Sequence, residues 1–204
     1  PFKMWKRYAS YQGGTADPLI VSWPAQIKKT GIRTQYEHAI DIVPTILECA
    51  GVPEPRMVNG VTQKPIEGVS MVYTFDDKDA PSARTTQYFE MFGNRAIYHE
   101  GWVAAARHSI PWLVAKLPPF DQDKWELYHT DVDRAESVDL AKENPEKLNA
   151  LIKLWDEEAE KNQIKPLDDR SAVIQAGIER PTEEAVRDSY TYYPHTSSVP
   201  EAVA

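Results

Sequence analysis

Between Gly13 and Pro53 the chain reads GGTADPLIVSWPAQIKKTGIRTQYEHAIDIVPTILECAGVP, and the order of parts in this stretch restricts its fold more than any other feature. A glycine pair, able to hold backbone shapes closed to other residues, runs directly into the apolar stretch from Pro18 to Trp23. Ile20, Val21 and Trp23 suit a strand buried on both faces of a mainly parallel sheet, with Pro24 ending it. After a polar crossover Asp41 is placed as a helix N-cap and Pro44 falls in the first turn. Ile42, Val43, Ile46, Leu47 and Ala50 then recur at helical spacing until Gly51 and Pro53 stop them. Glycine turn, strand, crossover and helix in this order make the closing unit of an α/β layer.

Further along, residues 54–83 are proline-rich and weakly periodic, which predicts a loop with a short extended piece at 66–71 (IEGVSM). The character then changes. Gln87–Phe92, Arg95–His99 and Trp102–Arg107 are strand-like runs separated by the turn dipeptides Gly93-Asn94 and Glu100-Gly101, and WELYHTD from Trp125 offers a fourth strand. Asn144-Pro145 opens a helix whose Leu148, Leu151, Ile152, Trp155 and Ala159 share one face, a stripe suited to covering an antiparallel sheet. Beyond Pro166 the pattern decays into polar sequence, and its last part, with Tyr190, Tyr192 and Tyr193, reads as an extended linker. The start, PFKMWKR, has the character of mid-domain sequence, so the expectation is a chain cut from a larger protein at both ends.

With 31 acidic against 23 basic residues the net charge is -8, which disfavours nucleic acid and anionic membranes as partners. The single cysteine, Cys49, excludes an internal disulfide and a thiolate metal cluster. No stretch approaches the roughly 20 apolar residues of a membrane-spanning helix.

The segments GGTADPLIVSWP, HAIDIVPTILECAGVP, QKPIEGVSM, QYFEMFGNRAIYHEGW and KWELYHTDVDRAESVDLAKENPEKLNALIKLW occur in unbroken order, and together they resemble the C-terminal part of a bacterial arylsulfatase. The resemblance implies an α/β fold: the end of an alkaline-phosphatase-like α/β domain (residues 1–55), then a small α+β subdomain with a four-stranded antiparallel sheet and a C-terminal helix (56–165). Residues 166–204 would then lead towards a further C-terminal region. It also implies hydrolysis of sulfate esters through a formylglycine nucleophile and a calcium ion, on a sulfate-ester small molecule or sulfated glycan, in a periplasmic or secreted setting. The nucleophile's Cys/Ser-x-Pro/Ala-x-Arg pattern is missing here, since Cys49 is followed by AGVP, and Ser22-Trp23-Pro24, Ser109-Ile110-Pro111 and Ser198-Val199-Pro200 lack the arginine. The family's metal-binding pairs precede this segment, so the chain alone is expected to be inactive.

One functional position of the family falls inside the chain, a lysine just before the glycine pair that reaches a sulfate oxygen and stabilises developing negative charge. Lys6 matches it best. Its spacing to Gly13 is one residue longer than the family pattern, which leaves Arg7 in register and Lys3 as a further alternative. Read on residue type alone, His38 is either an acid or base near the site or a hydrogen-bonded core histidine. Asp76, Asp77 and Asp79 are either calcium ligands or a solvated turn, with no EF-hand spacing to favour the first. His99, His108, His129 and His195 show no zinc-binding pattern. Trp102, Trp112, Phe120, Trp125 and Tyr128 either rim a site for an aryl or sugar group or pack the small sheet. Two other functions remain open: a phosphoester or phosphonate hydrolase on the same scaffold, and a non-catalytic module binding a glycan or a partner.

Overall fold

The computed structural model describes residues 1–110 and 117–170. Trp112, His195 and the tyrosine-rich tail lie outside the described residues. In chain order the elements are α1 (Gln12–Thr15), a 3-10 turn (Ala39–Asp41) running into α2 (Ile42–Ala50), β1 (Met57–Val58), β2 (Val61–Thr62), α3 (Tyr73–Asp76), β3 (Thr86–Met91), β4 (Asn94–His99), β5 (Trp102–Ala106), β6 (Trp125–His129) and α4 (Pro145–Lys161). Strands β3-β4-β5-β6 form a four-stranded antiparallel sheet in sequence order.

This meander follows from alternation and from two-residue turns. Met91 pairs with Asn94, and His99 with Trp102. The loops are therefore Phe92-Gly93 and Glu100-Gly101, all four residues at positive φ of 47° to 81°, as turns matching the strand twist require. The first turn sits one residue earlier than Gly93-Asn94, because Asn94 is fully buried in the strand and its amide side chain is committed to Ser109 and the N–H groups of His108 and Ser109.

Successive residues of the central strands face opposite sides. Ala96, Tyr98, Val103, Ala105 and Tyr128 meet Tyr8 and Tyr11 from the N-terminal segment on one face. On the other, Ile97, Ala104 and Leu127 meet Leu151, Trp155 and Ala159 of α4. The consecutive alanines 104 to 106, all at 0% exposure, let both covering layers approach the sheet closely. The helical stripe read from the sequence is thus the stripe that packs, with Leu148 and Ile152 at its half-buried margins.

Two local expectations change. Residues 18–23 form no strand, and Leu19, Ile20 and Val21 are 53%, 90% and 46% exposed. A buried parallel strand needs hydrogen-bonding neighbours, and among the described residues every ladder is antiparallel and lies elsewhere. Residues 66–71 join no ladder; Val69 N–H bonds to Asp41 Oδ1 (2.7 Å) and Met71 N–H to Thr45 Oγ1 (2.9 Å). Finally, the loop over 54–83 contains the β1-β2 hairpin, turned by Asn59-Gly60 at φ 49° and 81°.

Helix α2 stops as expected, with Gly51 in the left-handed region at φ 66° and the Gly51 and Val52 N–H groups closing onto Glu48 and Leu47 carbonyls. Its apolar face is bare. Ile42, Val43 and Ile46 are 38%, 52% and 60% exposed, and Ile42 and Ile46 with Leu19, Val21, Met71 and Phe75 line an open groove of about 520 Å³. A contiguous apolar surface of this kind marks a contact site rather than a solvated one.

Candidate functional site

The segment that carries Lys3, Lys6 and Arg7 has no regular structure before α1, so its shape depends on side-chain ties. Gly13 and Gly14 are the seat. A Cβ on Gly13 would lie 2.1 Å from Met4 O and 2.4 Å from Lys3 O, and one on Gly14 2.2 Å from Tyr8 O. The pair therefore serves close approach of backbone to backbone at α1 and not an unusual φ. Folding back this tightly drives Met4 and Arg7 to φ 61° and 79°, each costing roughly 1 kcal/mol or more for a residue with a Cβ.

The three candidate cations are treated differently. Lys3 is half-buried, and its Nζ donates to Tyr128 OH (2.6 Å) and Glu126 Oε2 (3.1 Å) while lying 4.6 Å and 4.9 Å from the Tyr11 and Tyr128 ring centroids. Lys6 is exposed, with no hydrogen bond or ion pair among the described residues. Arg7 is exposed beside it and has interactions of its own.

Other ties hold the segment to the sheet. Ser10 Oγ donates to Ala106 O (2.7 Å), Tyr11 OH to Glu126 Oε2 (2.8 Å), and the Gln12 N–H to Glu136 Oε2 (2.9 Å). Burial acts to raise the Glu126 carboxyl, but the hydrogen bonds from Tyr128, Tyr11 and Lys3 hold it below the usual range. Glu136 is 2% exposed, its Oε1 is without a hydrogen-bond partner, and burial pushes its carboxyl up to about 7 despite the Gln12 N–H. Glu37 is raised to about 7 as well, burial outweighing the hydrogen bond from Tyr73 OH.

These shifts fix a pH dependence. A carboxyl whose folded value exceeds its unfolded 4.5 binds more protons folded than unfolded between about 4.5 and 7, so stability falls as pH rises through that window. We expect Glu136→Gln to gain on the wild-type chain by about 1–3 kcal/mol between pH 4.5 and 7.5, measured as the difference in urea unfolding free energy at each pH. A difference independent of pH would contradict it.

Other candidate positions make contacts within the fold. Asp41 is not itself the first cap: His38 caps the 3-10 turn three residues earlier through Nδ1, and Asp41 Oδ2 accepts the His38 N–H (2.7 Å) to complete a capping box. Burial foremost lowers the His38 imidazole pKa. Asp77 and Asp79 make a solvated turn, Asp77 accepting the Asp79 N–H and Asp79 pairing with Lys78. Trp102 stacks on His129, Trp125 packs against Trp155, Phe120 covers His108, and Tyr128 is 1% exposed, so these aromatics pack on and beside the sheet.

Two buried charge clusters escape a sequence reading. Arg84 grips Asp41, donating from Nε to both carboxylate oxygens (2.9 and 3.2 Å) and from Nη2 to Oδ1. Arg95 pairs with Asp123, whose two oxygens also lie 3.0 Å from His108 Nδ1. Arginines inside a strand or in the segment leading to one carry no local sign of such partners. Among the described residues no group of three or more His, Cys, Asp or Glu is arranged to hold a metal ion.

Residues 2–165 match the family described as N-sulphoglucosamine sulphohydrolase, C-terminal. The chain belongs to this sulfatase family. Sequence relatives agree: an uncharacterized sulfatase of Schizosaccharomyces pombe is 33% identical over 71% of this chain and 25% of its own length. An N-acetylglucosamine-6-O-sulfatase of Bacteroides thetaiotaomicron is 26% identical over 80% of this chain and 28% of its own. A solved structure from the metabolism of multiple glycosaminoglycans by Bacteroides thetaiotaomicron shares the fold at a TM-score of 0.53, with 23% identity over 74% of this chain and 30% of that one. The sulfatase chain thus spans about a quarter of the length of the curated relatives it matches, as the C-terminal portion of a sulfatase of the alkaline-phosphatase-like superfamily.

Proposed function

We propose that this chain is one wall of the active site of a longer sulfate-ester hydrolase of the arylsulfatase type, to which it contributes Lys6. The observation that carries the reading is the contrast within the glycine-seated segment: Lys3 is consumed by Glu126 and Tyr128, while Lys6 stands in solvent on a strained and closely tied loop. An ammonium held in place next to a sulfate oxygen gains most when negative charge develops there, which is how a fixed cation lowers a barrier. On this reading residues 1–55 complete the catalytic α/β domain. The bare face of Leu19, Ile20, Val21, Ile42, Val43 and Ile46 is then where the rest of that domain packs. The formylglycine and calcium of the family reside in that rest.

One relative is named for a 6-O-sulfated amino sugar, which supports including a sulfated glycan beside an aryl sulfate as substrate. The test is turnover of p-nitrophenyl sulfate, p-nitrophenyl phosphate and N-acetylglucosamine 6-sulfate by the complete protein and by this chain alone. We expect the complete protein to release sulfate and the chain alone to give none. Hydrolysis of the phosphate ester only would favour a phosphoester hydrolase, and activity of the isolated chain would overturn the division of the site.

A further inference from the structure

We propose that Glu126, on β6, is the positioning residue that fixes Lys6 for transition-state contact, an inference that rests on the reading of Lys6 as the sulfate-contacting lysine. One oxygen of this carboxylate, Oε2, accepts from Lys3 Nζ (3.1 Å), Tyr11 OH (2.8 Å) and Tyr128 OH (2.7 Å). Lys3 and Tyr11 lie on opposite sides of Lys6 in the chain, so a single atom ties both limbs of the loop to the sheet. Its side chain is 19% exposed, which keeps water from competing for these bonds as it does at an open surface.

The loop needs such a tie. Between Lys3 and Tyr11 it makes turns and no helix or strand, and Met4 and Arg7 are held at positive φ. Conformations of that kind persist only where surrounding contacts over-determine them. Tyr8 and Tyr11 are buried against the sheet and Ser10 bonds to Ala106 O, which anchors the limb that leads into α1. On the other limb, the Lys3 bonds to Glu126 and Tyr128 are what reach across to β6. Charge matters too. Glu126 neutralises Lys3, so that the cation three residues from Lys6 does not draw the anionic substrate to a second place.

Glutamine at 126 keeps one acceptor and the side-chain volume but cannot match the Lys3 charge, so it loosens the loop without emptying the site. The experiment is a double-mutant cycle on the complete enzyme with p-nitrophenyl sulfate: wild type, Lys6→Ala, Glu126→Gln and the double variant, with kcat and KM for each. The expected result is a kcat loss of about tenfold or more for Glu126→Gln, KM within about threefold, and no further loss when Lys6 is already alanine. An equal kcat loss in both backgrounds, or none in the wild-type background, would overturn the proposal while Lys6→Ala still lowered kcat. If Lys6→Ala leaves kcat unchanged, it is the reading of Lys6 that fails. Should Glu126→Gln not fold, Tyr11→Phe, which removes one donor to the same oxygen and keeps the ring, is read in the same cycle against the same outcomes.

Discussion

Lys6→Ala in the complete enzyme is expected to lower kcat for an aryl sulfate by about 10²–10³-fold, the loss typical of one preorganised group removed from a developing oxyanion. The side chain is exposed and makes no hydrogen bond or ion pair among the described residues, so its removal leaves the fold untouched. The urea midpoint of the variant should therefore equal that of the wild type, which separates a chemical effect from a structural one. Lys6→Arg keeps the charge but changes its reach and shape, and should retain an intermediate rate. An unchanged rate for Lys6→Ala would transfer the role to Arg7, its exposed neighbour, since Lys3 is already engaged by Glu126 and Tyr128.

Arg84→Ala is expected to destabilise the chain by about 3–5 kcal/mol, because it strands a buried carboxylate. Asp41 is 0% exposed and Arg84 8%, and the pair joins three separate parts of the chain: the start of α2, the 66–71 segment and the approach to β3. Burial acts to raise the Asp41 carboxyl, yet the Arg84 guanidinium with the Val69 and His38 N–H groups holds it below its ordinary value. Its contribution is present above the unfolded value of 3.8 and is lost as pH falls through the lower folded one. Against a typical total of about 5–15 kcal/mol this loss would leave the chain close to unfolding. Arg84→Lys, which keeps the charge but cannot span both oxygens, should fall between the two. Urea denaturation followed by far-ultraviolet circular dichroism at pH 7 measures it, and a loss below about 1 kcal/mol, the value of an exposed pair, would contradict it.

The parts legible in the sequence are those whose cause is local. The meander is written in alternation around Tyr98, Val103 and Leu127 and in the glycines at 93 and 101 that turn it, and α4 in a stripe of one period. The helix stop at Gly51 is equally local. What failed depends on partners. The run from Pro18 to Trp23 has the composition of an interior strand, but apolar composition reports a preference for burial and does not supply the neighbour that provides it. The Asp41–Arg84 pair is separated by 43 positions with no periodic signal between them. Glu126 looks like the outward polar residue of an alternating strand until Lys3 and Tyr11 arrive beside it. Gly13 and Gly14 were visible as a feature, but their reason, backbone carbonyls 2.1 to 2.4 Å from the Cβ positions they lack, exists only in three dimensions.

The most direct measurement is a crystal structure of the complete protein with sulfate or a sulfate-ester product bound at the catalytic centre. Lys6 Nζ is expected within about 3.2 Å of a sulfate oxygen, with Lys3 still on Glu126 and Tyr128. A sulfate contacted by Lys3 or Arg7 with Lys6 in bulk solvent, or a catalytic centre remote from this loop, would contradict it.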